Sequence, residues 1–232
     1  MNTIFQKSKI KNILLPLFFI FFASDLFGQD ILWLHYFNRY KLSYKFSIDS
    51  DIGYRQYFDD NGGTRGQIRS GLRYDVSDRF YVRGGLMYVN GSRANEELRF
   101  YQDFVYNIPF NVFTLTQRIR FEEQFFDSDK KNYRLRYNPS IKFSTFFGYC
   151  TLGCEPFSTL NDKNSKISSN RIYIGLTRRA YKNILVTLQY INERSYSIPT
   201  EGYINESNMI RVKISHVIHP LKTGPLFKRK SV

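Results

Sequence analysis

The chain has 232 residues, and its 34 Lys and Arg against 20 Asp and Glu give a net charge of +14. It also carries 18 Tyr and 22 Phe but a single Trp. Past the N-terminal segment no apolar run reaches the roughly 18–20 residues of a membrane-crossing helix, which excludes an α-helical membrane protein, whereas aromatic enrichment suits strands.

The first element is an export signal. Lys7, Lys9 and Lys11 precede the uncharged run from Ile13 to Ala23, and Gly28 stands before the polar Gln29 and Asp30. A basic start, a short apolar stretch and a small residue describe a secretory signal peptide. Residues 1–28 are read as that signal, with cleavage near Gly28 and Ala23 as the alternative. Pro16 and the short run oppose an uncleaved anchor. No cysteine lies at the boundary to take a lipid anchor. Export makes nucleic acid an unsuitable partner for the positive charge. Anionic outer-membrane lipid, lipopolysaccharide or an anionic solute is the more natural one.

Residues 29–40 are expected to form a periplasmic or interfacial lead-in, with a paired first strand as the alternative that their aromatic content also fits. From Lys41 the pattern turns to strict alternation, the strand signature. Leu42, Tyr44, Phe46, Ile48, Ile52 and Tyr54 fall on one face, with Lys45, Ser47, Asp49, Asp51 and Arg55 on the other. Ile68, Leu72 and Tyr74 then oppose Gln67, Arg69 and Arg73. Segments 79–90 and 97–107 alternate less cleanly. Phe113, Leu115, Ile119 and Phe121 oppose Thr114, Thr116, Arg118, Arg120 and Glu122. Tyr133, Leu135, Tyr137, Ile141 and Phe143 oppose Arg134, Arg136, Asn138 and Lys142. Segment 146–158 is followed by Ile172, Ile174 and Leu176 opposing Arg171 and Thr177. Segment 183–195 precedes Ile210, Val212 and Ile214 opposing Arg211, Lys213 and Ser215.

This reading gives an all-β, antiparallel transmembrane β-barrel of about ten strands, with twelve possible, over residues 41–218. Soluble strands average about 5–6 residues, and many of these segments are longer. Their polar face carries long charged side chains that a dry core would not hold but a hydrated lumen would. Long connections are expected at 56–64, 91–96, 126–131, 159–168 and 196–206, and short ones near 77–78, 108–111, 144–146 and 179–182. Long loops on one side and short periplasmic turns on the other are the asymmetry of outer-membrane barrels. An even strand number places both termini on the short-turn side. The tail, residues 219–232, is basic and contains Pro and Gly, which reads as a periplasmic extension. It does not end on an aromatic residue, so the signal for the barrel-assembly machinery is expected around Ile214 to Ile218 or to be modified by the tail.

The candidate site lies on the lumenal parity. Arg69, Arg73, Arg118, Arg120, Arg134 and Arg136 share it with Asp49, Asp51, Glu122 and Glu193. One reading is an internal salt-bridge network bracing a narrow barrel. The other has the arginines hold an anionic ligand by paired N–H donors. RIRFEE at 118–123 and RLRY at 134–137 are expected on neighbouring strands, their charges opposed across one hairpin. No catalytic constellation stands out. His35 precedes the barrel, Ser215 and His216 point to opposite faces, and His219 lies in the tail. No GxSxG or HExxH pattern occurs. DNGG (60–63) and RGG (83–85) lack phosphate-loop spacing, and NES at 205–207 carries no weight as a glycosylation site in a bacterial chain. Cys150 and Cys154 lie about 13 Å apart if both are in one strand, beyond disulfide reach, and two cysteines without a nearby His make a poor metal site. No cofactor is expected.

Trp33 with the KLSYKFS start, QRIRFEEQFF (117–126), RLRY (134–137) and NRIYIGLTRR (170–179) resemble, in that order, the outer-membrane barrel family known as domain of unknown function 2490. The similarity spans roughly 33–218. It implies a single envelope barrel with no established activity and no catalytic residue to carry over. The cysteine pair and the basic tail are not features of that resemblance. The expected function is therefore a structural, binding or narrow-pore (porin-like) barrel of a Gram-negative outer membrane, passing or binding small anionic solutes. A lipid-modifying outer-membrane enzyme is the alternative, and a secreted soluble β-sandwich a more distant one.

Overall fold

The computed structural model describes residues 30–128, 130–160, 167–196 and 203–220. The signal segment 1–28 and the tail from 221 onward lie outside them. Eleven strands follow one another: β1 (Ile31–Lys41), β2 (Phe46–Tyr57), β3 (Thr64–Asp75), β4 (Phe80–Gly91), β5 (Ala94–Pro109), β6 (Phe113–Phe126), β7 (Lys131–Thr145), β8 (Gly148–Thr159), β9 (Ile167–Tyr181), β10 (Ile184–Tyr196) and β11 (Tyr203–Ile218). Each pairs with the next in antiparallel fashion, and β1 pairs with β11 to close the barrel.

The closing pair is parallel, with Trp33 opposite Arg211 on β11 and opposite Arg55 on β2. The expected all-β barrel stands, its eleven strands falling between the ten and twelve expected, and one point is corrected: the wall is not wholly antiparallel. An up-and-down sheet with an odd number of strands can close only by pairing its first and last members in parallel. The correction has its cause in residues 31–41, expected as a lead-in. Ile31, Trp33 and His35 are buried toward the lumen while Leu34 and Tyr36 are exposed, so the segment alternates as a strand. With β1 absent, β2 and β11 would each present an unpaired edge. Backbone bonds from Asp30 N to Asn208 O and from Phe58 N to Asp30 O, 3.0 and 2.8 Å, extend the tie beyond the strand itself. The start of β1 and the end of β11 consequently lie at opposite ends of the barrel.

Strands of 11 to 16 residues meet or exceed the roughly 9–11 that a tilted strand needs to cross a bilayer. Connections 42–45, 76–79, 110–112, 146–147 and 182–183 share one end. Connections 58–63, 92–93, 127–130, 160–166 and 197–202 share the other. The expected long loop at 91–96 is instead the two-residue turn Ser92–Arg93, entered through Gly91 at φ 144°, a backbone conformation that suits glycine. The expected first strand from Lys41 likewise begins at Phe46, because Leu42 and Ser43 N–H groups bond Phe46 O in a turn.

The wall is apolar outside and ionic inside. Ile52, Ile68 and Ile172 are 56, 57 and 58 % exposed, whereas Asp49, Asp103 and Glu122 are at most 1 % exposed. Among the described residues, buried apolar side chains form two small clusters, Ile31–Trp33–Ile191–Met209 and Met87–Val89–Tyr101. Tyr101 has its place because Gly71 carries no Cβ, which would run into the Tyr101 hydroxyl.

A lumenal chamber as the candidate functional site

Alternation puts every second side chain of each strand into the lumen, and register decides which charges meet. The result is a chain of ion pairs running round the wall. Arg39 on β1 holds Asp49 on β2 through Nε and an Nη, at 2.6 and 2.9 Å. Arg83 on β4 joins Asp49, at 3.0 Å, to Asp103 on β5. Arg120 on β6 takes Asp103 at 2.6 Å and the neighbouring Glu122 at 3.4 Å. Arg136 on β7 links Glu122, at 3.0 Å, to Glu155 on β8, at 2.8 Å. Arg171 on β9 then connects Glu155, at 3.7 Å, to Glu193 on β10, at 2.9 Å. Multidentate guanidinium–carboxylate contacts of this kind are directional and strong.

All six arginines singled out from sequence face this lumen, and each meets a carboxylate. Arg69 binds Asp51 at 2.6 Å, Arg73 binds Asp75, Arg118 binds Glu155, and Arg134 binds Glu122. Arg120 and Arg136 are links of the chain itself. Asp49, Asp51, Glu122 and Glu193 are all ion-paired. The opposed runs on β6 and β7 meet as expected, with Glu122 directly across from Arg134. Arg120 and Arg136 also face each other there, a like-charge pair that Glu122 bridges. Asp103, Glu155, Glu97, Arg83 and Arg99 belong to the same network and were not singled out. Their parity was available in segments 79–90, 97–107 and 146–158, but the weaker alternation there hid it.

The chain of ion pairs stops at β11. Among the described residues no carboxylate lies within ion-pair distance of Arg55, Arg211 or Lys213. These cations stack on rings instead. Arg55 and Arg211 place Cζ 4.0 and 4.6 Å from the Trp33 ring centroid, and Lys213 Nζ lies 5.0 Å from that of Phe37. His35 stacks on Trp33 at 5.4 Å and gives its Nε2 to Asp51 at 3.1 Å. Trp33 Nε1, His35 Nδ1, Arg55 Nε and Arg211 Nε are buried and have no hydrogen-bond partner among the described residues. Arg211 and Lys213 were legible as inward residues of their strand. Trp33 was not, because it fell in the stretch read as a lead-in.

A cavity of about 500 Å³ opens beside this seam. Trp33, Arg55, Arg211 and Lys213 wall it on one side and Arg118, Arg134 and Arg171 on the other, while Asp49, Arg83 and Asp103 are not among its walls. Arg73, with Asp75, is not among them either. Its size is that of a small-molecule pocket. Ser215 and His216 face opposite sides of β11, His216 Nδ1 lying 3.2 Å from the outward Tyr36 Oη. Cys150 and Cys154 are both free thiols on β8.

Residues 31–203 match the model of a family described as "Protein of unknown function (DUF2490)", and the chain belongs to that family. No curated protein and no solved structure matches it.

Proposed function

We propose that this member of the family is an outer-membrane β-barrel of the binding type, taking small anionic solutes into its lumen. The observation that carries the reading is the inverted wall. Large apolar side chains such as Ile52, Ile68, Leu72, Phe104 and Ile172 stand about half exposed on the outside, while the carboxylates Asp49, Asp103 and Glu122 are among the fully buried side chains. In water such a surface would be costly, at about 25 cal/mol per Å² of apolar area. Hydrocarbon removes that cost. Hydrocarbon also demands that every backbone N–H and C=O be paired internally, which a closed barrel achieves and an open sheet does not.

The anionic preference follows from the chamber. Its walls carry ten arginines and Lys213 against Glu155 and Glu193, and focusing by low-dielectric walls strengthens such a field. Two measurements test the reading. The protein should leave membranes only with detergent and migrate faster on gels unheated than boiled. Release by a high-salt wash would overturn the membrane reading. In planar bilayers any conductance should prefer anions, and a cation-selective current would overturn the anionic one.

A further inference from the structure

Resting on that reading of the lumen, we propose that the β1–β11 seam is a specific site for a small organic oxyanion. Its acidic head is held by Arg55, Arg211 and Lys213, and its apolar body lies against Ile31, Ile191 and Met209. Register arranges the two halves of the site in layers. Ile31 is paired with both Met209 and Tyr57, and Ile191 with Met209, which forms an apolar collar on the wall toward the 58–63 connection. One inward step deeper Trp33 meets Arg55 and Arg211, and one further step His35 meets Lys213.

Three features set this layer apart from the rest of the lumen. Among the described residues its cations have no carboxylate within ion-pair distance, which leaves them open to an anion from outside the wall. Buried N–H groups without acceptors also occur singly elsewhere on the chamber wall, at Arg65, Arg118 and Arg171, but at Trp33, Arg55 and Arg211 three lie together, and a buried unmet donor costs about 1–3 kcal/mol until something accepts from it. Finally, Arg55 and Arg211 are clamped on either neighbour of Trp33. A fork held in place loses less freedom on binding than one recruited from solvent. The neutral Gln189 is paired opposite Arg211, where the arc elsewhere places a carboxylate near each guanidinium.

The test uses the full refolded protein in non-ionic detergent, first shown to be heat-modifiable, with phenyl phosphate as probe and titration calorimetry as readout. Phenyl phosphate should bind, more tightly than inorganic phosphate, and neutral benzyl alcohol should not. Arg211→Gln and Lys213→Met should each weaken binding about tenfold or more, the scale of a charge-assisted hydrogen bond. Arg73→Gln, paired with Asp75 and outside the chamber walls, should leave it unchanged. Gln189→Glu should abolish binding while raising the melting temperature, because it supplies the missing carboxylate from within. If Arg211→Gln fails to fold, Lys213→Met and Gln189→Glu decide. No binding of phenyl phosphate, an equal loss in Arg73→Gln, or unchanged affinity in Gln189→Glu would each overturn the site. If phosphatidylglycerol vesicles compete with phenyl phosphate while free glycerol 3-phosphate does not, the head belongs to a lipid and the soluble-solute assignment falls. A protein that is not heat-modifiable fails earlier, on the membrane reading alone.

Discussion

The arc from β2 to β10 and the seam of β11, β1 and Arg55 use the same guanidinium chemistry to opposite ends. In the arc the buried guanidinium groups of Arg83, Arg99 and Arg120 are met within the wall, Arg120 by Asp103 and Glu122. In the seam Arg55 and Arg211 meet the face of Trp33. A ring face attracts a cation by roughly 0.5–2 kcal/mol but leaves its charge uncancelled and some of its N–H groups unused. The arc is thereby self-neutralised, and the seam is the part proposed to receive an anion. Neither role is visible in the identity of the arginines themselves.

The largest expected effect lies in the arc. Glu122 accepts from Arg120, Arg134 and Arg136 and is fully buried. Glu122→Gln leaves Arg134 without a carboxylate among the described residues and removes one of the two that hold Arg120 and Arg136, and should cost about 3–5 kcal/mol, seen as a lower urea midpoint for loss of the fast-migrating band. A loss under about 1 kcal/mol would mean that the lumen solvates these charges and that the arc braces nothing. In the seam, Trp33→Leu keeps apolar bulk but removes the face beneath two guanidinium groups. The expected cost is about 1–2 kcal/mol, with phenyl phosphate affinity falling alongside as Arg55 and Arg211 lose their placement. Unchanged affinity would show that the ring does not position them. The smallest effect belongs to the rim, where Arg73 and Asp75 remain partly exposed. Arg73→Gln should move stability by no more than about 1 kcal/mol. High salt sharpens the contrast further. At 1 M ionic strength the Debye length shrinks to about 3 Å, so anion binding at the seam should weaken strongly while the arc, buried and internally paired, holds.

Much of the wall was legible in the chain. Period-two alternation from Phe46 to Tyr57 and again around Arg118–Phe126 and Arg134–Phe143 marked strands and assigned their faces. It did so because a pleated strand sends successive side chains to opposite sides whatever it pairs with. The eleventh strand escaped for a different reason. Ile31, Trp33 and His35 alternate with Leu32, Leu34 and Tyr36, but all six are apolar or aromatic, so period alone could not separate inside from outside. The turn at Ser92–Arg93 escaped because polar residues before Leu98, read as a loop, continue β5 as Ala94 to Glu97.

The sequence by itself determined the strands, their two faces and the inward arginines, since each of these is a property of residues two apart along one segment. Only the tertiary structure decided how many strands close the wall and which charge meets which. Arg69 and Arg211 look alike in the chain. One lies beside Asp51 on the strand next to it, and the other beside Trp33, nearly the whole length of the protein away. Such pairings depend on closure of the ring through a parallel β1–β11 contact, which no local periodicity encodes.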